Sequence, residues 1–386
     1  MEPKFEHFDL RIVEPTFGST LTDTIIELER LRAPRRVKSR VHPVVFSQLK
    51  NIFHTLESLG SVRIEGNNTT LSDVVEKTID GTIKTSKEEQ IKEFFNNQQA
   101  LDFIESNIAE GVAVDKNFIS EFHKIIVNNL NPSHEGDYTP GQYRTNEVVI
   151  KNSIHKPTMA VKVPEYMDEL IEFINSQRDQ KYKLLATAVA HHRFAWIHPF
   201  RNGNGRTVRL LTYAMLMNQG FAVNHILNPT AVFCNDRDVY YDNLAQADMG
   251  TDEGILKWCE YVLTNLLEEI RKIDKLLDYD YLIPNILIPA LNYAVDRKTI
   301  NQEEFQILKL AVEKGEIKAN DINAILKKEH HTQVSAYIRK LKDGGLLSDA
   351  TGKQRSYVAS FSNNHLLRGV IDALKKNNFI GSLEDN

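Results

Sequence analysis

The chain has 386 residues, 41% apolar and 26% charged, which suffices for two or three folded units with a substantial core. Its formal net charge of −5 carries no global signal for nucleic acid or for an anionic membrane surface. Cys234 and Cys259 are the two cysteines and show no paired spacing, which argues against a disulfide framework or a cysteine metal cluster and fits a reducing cytoplasm.

Helical periodicity leads from the N-terminus, where no basic start precedes an apolar core and no signal peptide is expected. Leu21, Ile25, Leu28 and Leu31 form one stripe, capped by Ser19 or Thr20 and stopped by Pro34. After a basic loop over 35–40, a second helix starts near Pro43 with Phe46, Leu49, Phe53 and Leu56 on one face. It runs into SLGSVRIEGN, whose residues 61–67 read as a helix end and a turn. Helices are expected around 71–79, 87–104 and 118–127. The segment 134–164 then breaks the rhythm with prolines and glycines. Val148, Val149 and Ile150 favour extended backbone and 151–153 a turn, so a short hairpin is expected there.

Helices over 163–175 and 181–196 lead into HPFRNGNGRTVR, residues 198–209. Gly203 and Gly205 let backbone approach a ligand, and the following helix (Leu210, Leu211, Ala214, Met215, ending at Gly220) aims its unpaired N–H groups at the same place. That is an anion pocket. Arg206 and Arg209, three apart, leave one face of the first turn and can grip phosphate oxygens, while His198 precedes the turn as a candidate general base. No GxxxxGK followed by Ser or Thr occurs, which excludes a P-loop. His191 and His192 lie on adjacent helix faces about 100° apart without HExxH spacing, so they read as structural.

The 198–209 string resembles the signature of the Fic family (filamentation induced by cyclic AMP): HPF, any residue, Asp or Glu, GN, Gly or Lys, then RxxR. Every position matches except the acidic one, which is Asn202. In the family that acid is the magnesium ligand; an amide oxygen can coordinate Mg²⁺ but brings no charge. Ser61, Glu65 and Gly66 match the family's inhibitory motif, in which a glutamate paired with Arg209 takes the place of a γ-phosphate. The run from Gly141 to Ile150 is similar to the family's flap, so Val148, Val149, Ile150 and Lys151 are implied to pair with an extended segment of a target protein; an ordinary surface hairpin is the alternative. The stretch 236–248 resembles the one that lines the adenine pocket, with Tyr240 or Tyr241 as stacking face and Asn243 or Asp248 reading base or ribose, although core packing accounts equally well for one of the tyrosines.

A helix over 253–277 follows, and the Pro284/Pro289 segment, too short and too interrupted to span a bilayer, reads as a link to another unit. Beyond it the order is helices at 305–314, 319–328 and 332–343, Gly344-Gly345, then two extended runs about 351–353, which resembles a winged helix-turn-helix. Between 324 and 357 seven basic residues face three acidic ones, and DNA or a protein is an open choice of partner. A helix over 364–377 ends the pattern.

The expectation is an all-α protein: an N-terminal helical region with the inhibitory motif (1–110), a Fic catalytic domain with a hairpin flap (111–280), and a linker with a winged helix (281–386). The resemblance implies a cytoplasmic protein adenylyltransferase that moves AMP from ATP to a Ser, Thr or Tyr hydroxyl of a target protein, itself included. His198 would be catalytic, Asn202 the Mg²⁺ ligand, and Gly203, Asn204, Gly205, Arg206 and Arg209 would bind the nucleotide with Glu65, Tyr240, Tyr241 and Asp248. A homodimer, removal of AMP by the same site, and a DNA-binding regulator whose Fic domain senses nucleotide stay open as alternatives.

Overall fold

A computed structural model describes residues 7–32, 42–70, 73–74, 88–150, 155–221, 232–233, 236–328, 330–350, 355–361 and 364–379. The chain divides into two compact units, residues 1–35 with 53–270, and residues 36–52 with 271–386. Helix dominates both.

The helices of the first unit, some of which extend past its bounds, are α1 (Thr20–Arg32), α2 (Pro43–Ile64), α3 (Glu88–Asn107), α4 (Lys116–Ile126), α5 (Val163–Asn175), α6 (Gln180–Ile197), α7 (Asn204–Asn218), α8 (Arg237–Ala247) and α9 (Asp252–Leu277). Local chemistry sets several starts. The Ser19 hydroxyl accepts from the Thr22 N–H ahead of α1, Asp115 accepts from the Phe118 N–H at α4, and Asp236 accepts from the Asp238 and Val239 N–H groups at α8. Helices α6 and α7 are different. Residues 184–194 of α6 and 206–217 of α7 are buried without a break, so neither helix shows a polar stripe; they form the centre on which the others pack. α3 and α4 lie against α7, and α5 against α6.

Polar side chains bind these central helices together. The indole N–H of Trp258 in α9 donates to the Ala188 carbonyl of α6 at 2.6 Å. Thr212 donates its hydroxyl to the Val208 carbonyl, so its oxygen accepts from His191 Nδ1 at 2.7 Å, and His191 Nε2 then accepts from the Tyr240 hydroxyl at 3.0 Å. This chain fixes the His191 tautomer and ties α6, α7 and α8. The segment before α1 straps the same unit: Phe8 packs on His192 and Trp196, Arg193 lies 4.6 Å from the Phe8 and Trp196 ring centroids, and Arg11 pairs with Asp252 at 2.7 Å.

The second unit holds helical turns at Tyr279–Leu282 and Ile283–Leu287, then α10 (Ile288–Asp296), α11 (Gln302–Lys314), strand β1 (Ile317–Lys318), α12 (Ala319–Leu326), α13 (His331–Asp343), strands β2 (Leu347–Asp349) and β3 (Ser356–Ala359), and α14 (Asn364–Lys376). The strands form one antiparallel sheet in the order β1-β3-β2, with Ile317 opposite Tyr357 and Leu347 opposite Ala359. Asn301 and Glu304 form a capping box at α11.

Two expectations change. The Pro284/Pro289 segment is helical: the backbone stays helical from Tyr279 to Asp296, with a π-helical turn over Ile283–Leu287 ahead of α10. Residues 145–150 carry no strand among the described residues; an isolated two-stranded ribbon has little to hold it. The turn expected at 151–153 with Lys151, most of the helix expected at 71–79, the basic loop at 35–40 and the wing turn at 351–353 lie outside the described residues.

Candidate active site

The loop between α6 and α7 presents the motif. α6 ends on His198, whose backbone adopts φ 52°, ψ 62°, and whose N–H still bonds to the Phe194 carbonyl. A left-handed histidine needs support, and Arg144 supplies it. Its guanidinium, 4% exposed, donates to four carbonyls: His198 at 2.8 Å, Ile197 at 3.3 Å, Thr158 at 2.5 Å and Asn146 at 3.1 Å. Its own N–H bonds to the Pro199 carbonyl at 2.8 Å. Burial, aided by the positive charge of Arg144, holds the His198 pKa down to about 4. At neutral pH the imidazole is a free base.

Asn204 closes the loop. Its amide nitrogen donates to the Phe200 carbonyl at 2.8 Å and its oxygen accepts from the Phe200 N–H at 2.9 Å. Both ends of this side chain, 3% exposed, are thereby committed to the loop. Gly203, at φ 73°, caps α7 in a conformation few other residues tolerate. Phe200 stacks on His123 of α4 with centroids 3.7 Å apart, and the Gly141 N–H donates to His123 Nδ1. That leaves Nε2–H to donate to the Asn202 carbonyl at 3.1 Å. Burial holds His123, too, down to about 4.

Asn202 is held at several points. Its N–H donates to Asp137 Oδ2 at 3.3 Å, and its side-chain amide donates to the carbonyls of Gly136 and Pro132. These bonds leave Oδ1 as the one oxygen it can offer a Mg²⁺ ion. That oxygen fits such an ion as a single neutral ligand beside phosphate oxygens. Among the described residues no three His, Cys, Asp or Glu side chains gather into a metal site.

Both motif arginines are buried in the first turns of α7. Arg209, 1% exposed, donates Nε to the Ser61 hydroxyl at 3.0 Å and Nη2 to the Ser61 carbonyl at 2.9 Å and Glu65 Oε1 at 2.8 Å. Gly66, at φ 95°, turns the chain just after α2 and leaves Glu65 facing α7. The Glu65 carboxylate rests on Gly205: a Cβ there would lie 2.0 Å from Glu65 Oε1. A protein carboxylate therefore fills the helix N-terminal anion site. Burial alone would raise its pKa, but Arg209, with Arg206 and His198, holds it below the ordinary carboxylate value. Arg206, 0% exposed, faces Glu93 Oε1 through Nη1 at 3.0 Å and donates Nη2 to the Glu135 carbonyl and to Glu135 Oε2, both at 2.9 Å. Burial lifts the Glu93 pKa to about 7 against the pull of Arg206.

The remaining expected residues separate. Tyr240 is 2% exposed with its hydroxyl committed to His191, whereas Tyr241 is 39% exposed beside Arg237. Asp248 accepts from His192 Nε2 at 2.8 Å, and Asn243 bonds back to the Val239 carbonyl. Val149 is 92% exposed. Residues that the sequence reading left out are Arg144, His123, Glu93, Glu135 and Asp137. Arg144 did carry a signal, as the conspicuous cation of the flap-like run.

Residues 113–216 match the Fic/DOC family model. The chain carries a Fic domain. A protein adenylyltransferase Fic of Nematostella vectensis is 29% identical over 194 residues, 48% of this chain and 42% of the relative, so the chain spans about two fifths of that relative's length. A Fic family protein structure from Desulfovibrio desulfuricans G20 has TM-score 0.56 at 20% identity over 90% of this chain and 98% of that one. A Fic domain containing signaling protein from Bacteroides thetaiotaomicron has TM-score 0.54 at 20% identity over 66% and 97%. At such identity these likenesses speak for the fold.

Two outcomes follow from the geometry. Asn202→Asp puts a carboxylate oxygen against the Gly136 and Pro132 carbonyls; it is expected to cost about 1–3 kcal/mol and to lower the melting temperature, and an unchanged or higher value would show that the amide does not hold the loop. His123 and His198 stay neutral when folded, so the unfolded chain binds more protons between pH ~6.5 and ~4, and their contribution is lost as pH falls through that window. Glu93, raised to about 7, works in the opposite sense, taking up a proton on folding. Glu93→Gln should therefore steepen the loss of stability from pH 7 to pH 5, measured as the shift in each protein's urea midpoint; an equal shift in both proteins would contradict the assignment.

Proposed function

We propose that this chain is a protein adenylyltransferase: it moves AMP from ATP to a Ser, Thr or Tyr hydroxyl of a protein, and Glu65 restrains it. The observation that carries this reading is the gathering of one neutral histidine and two buried arginines around one helix N-terminus already filled by a carboxylate. The name of the Nematostella vectensis relative supports the reaction class.

In this reading the hydroxyl oxygen attacks the α-phosphorus, the bond from that phosphorus to the bridging oxygen breaks, and pyrophosphate leaves. His198 accepts the hydroxyl proton, a task worth about 10²–10⁴ in rate. The N–H groups at the start of α7 and Arg206 stabilise charge on the transferring phosphoryl group and the pyrophosphate. Arg209 takes the γ-phosphate once Glu65 withdraws. Mg²⁺ held by Asn202 Oδ1 would supply charge neutralisation between phosphates. Tyr241 offers the exposed ring for adenine, and the exposed Val149 edge offers backbone to an extended target segment. We read the 302–359 unit as a winged helix, with its basic third helix as a candidate DNA or protein contact. Buried Cys259, its pKa pushed up to about 12, is an inert thiol.

Removal of AMP is a second reading with its own observation: the Glu65 carboxylate is charged and close enough to His198 for each to shift the other's proton affinity. Transfer from ATP labelled on the α-phosphate, compared with label on the γ-phosphate, distinguishes adenylylation from phosphorylation. His198→Ala is expected to abolish transfer and leave ATP affinity nearly unchanged, since the histidine acts on the incoming hydroxyl. Glu65→Gly should raise transfer well above wild type, and the rise should vanish when His198→Ala is added. Equal transfer in wild type and Glu65→Gly would remove the restraining role. Absence of transfer from every variant would favour a nucleotide-sensing regulator.

A further inference from the structure

Glu65 is not the sole carboxylate on a phosphate-binding arginine. Arg206 is buried between two. Glu93 is 2% exposed on α3, and its Oε2 accepts from the Asn67 amide at 2.6 Å, which the inhibitory turn supplies. It cannot leave without abandoning a buried guanidinium. Glu135 is different: its side chain is 42% exposed and lies on the loop over 132–137. The backbone of that loop is pinned, because Asn202 holds the Pro132 and Gly136 carbonyls, Asp137 accepts from the Asn202 N–H, and the Glu135 carbonyl accepts from Arg206. Only the Glu135 side chain is therefore free to swing into water, and an ion pair of that exposure is weakly held.

What the swing would uncover is specific. Arg206 Nη2 has two N–H groups for two acceptors, the Glu135 carbonyl and Oε2, while the buried Nε has no hydrogen-bond partner. On a guanidinium, Nε–H and one Nη–H share an edge and match two oxygens of a phosphate. A buried donor without a partner at this edge points to a ligand that brings an acceptor. Burial raises the Glu135 pKa and repulsion from Glu65 adds to the rise.

Resting on the adenylyltransferase reading, we propose that Glu135 is a specificity-determining residue of the nucleotide site. It competes with the inner phosphates for Arg206, and so sets affinity for diphosphate and triphosphate alike, whereas Glu65 bears on the γ-phosphate at Arg209. Together they leave neither arginine available to an anion until a carboxylate moves.

The test is titration calorimetry of the full chain with ATP, ADP and adenosine, on wild type, Glu135→Gln, Glu135→Ala, Glu65→Gly and the double variant. Both Glu135 variants should bind ATP and ADP about tenfold more tightly, the size of one charge-assisted contact regained, with adenosine unchanged. Glu65→Gly should tighten ATP more than ADP, and the double variant should combine the two patterns. Unchanged ATP and ADP affinities in both Glu135 variants, with Glu65→Gly still tightening ATP, would make Glu135 an ordinary surface ion pair and overturn the proposal while the function stands. Equal tightening of adenosine would overturn it too. If no protein of the set binds ATP or ADP, the nucleotide reading falls and this proposal with it.

Discussion

A guanidinium buried at the start of a central helix must be given a negative partner, and the rest of the first unit is arranged around that demand. Arg209 is 1% exposed, and Ser61 and Glu65 at the end of α2 satisfy it. Arg206, one turn earlier on α7, faces carboxylates from α3 and the 132–137 loop. Two buried cations thus draw three separate chain segments to one helix end. Any ligand that replaces a protein carboxylate there must bring its own negative charge, since removing one partner of a buried pair is strongly destabilising. A phosphate meets that condition; a neutral molecule does not.

The histidine is governed by the opposite requirement. It is uncharged at neutral pH, because burial and the neighbouring Arg144 cation disfavour protonation. Arg144 serves both ends of this arrangement: its four carbonyl bonds hold the left-handed turn at His198, and its charge lowers the proton affinity of the ring it positions. His123 repeats the logic one layer below, as a neutral ring whose two nitrogens bond the Gly141 N–H and the Asn202 carbonyl.

What could be read from the sequence was local. The string from His198 to Arg209 holds a histidine, two glycines and three arginines within one turn and a helix start, and the fold keeps them there. Helix boundaries followed where a stripe and a cap coincided, as at Thr20–Arg32 with Ser19 ahead of it. α6 and α7 have no such stripe because every face is buried, and they were legible only through their lengths and flanking turns. Glu93 and Glu135 were illegible for another reason: each looks like an ordinary surface acid, and its partner lies far along the chain. Asn204 and Tyr240 looked like ligand contacts, but their polar atoms are consumed within the fold, a matter decided by packing. Pro284 and Pro289 read as breaks because proline usually ends a helix; here the backbone stays helical through both, with a π-helical turn around the first.

The contact between Gly205 and Glu65 has a bearing on how such a chain can change over generations. Any side chain at 205 would meet the Glu65 carboxylate, its first carbon 2.0 Å from Oε1. Positions 65 and 205, one in the turn after α2 and one in α7, are therefore not independent characters. A side chain at 205 obliges the carboxyl end of Glu65 to shift, and without that carboxylate the nearest neighbour left is Arg209 Nη1 at 3.2 Å. The filled helix end is then one feature written at two addresses.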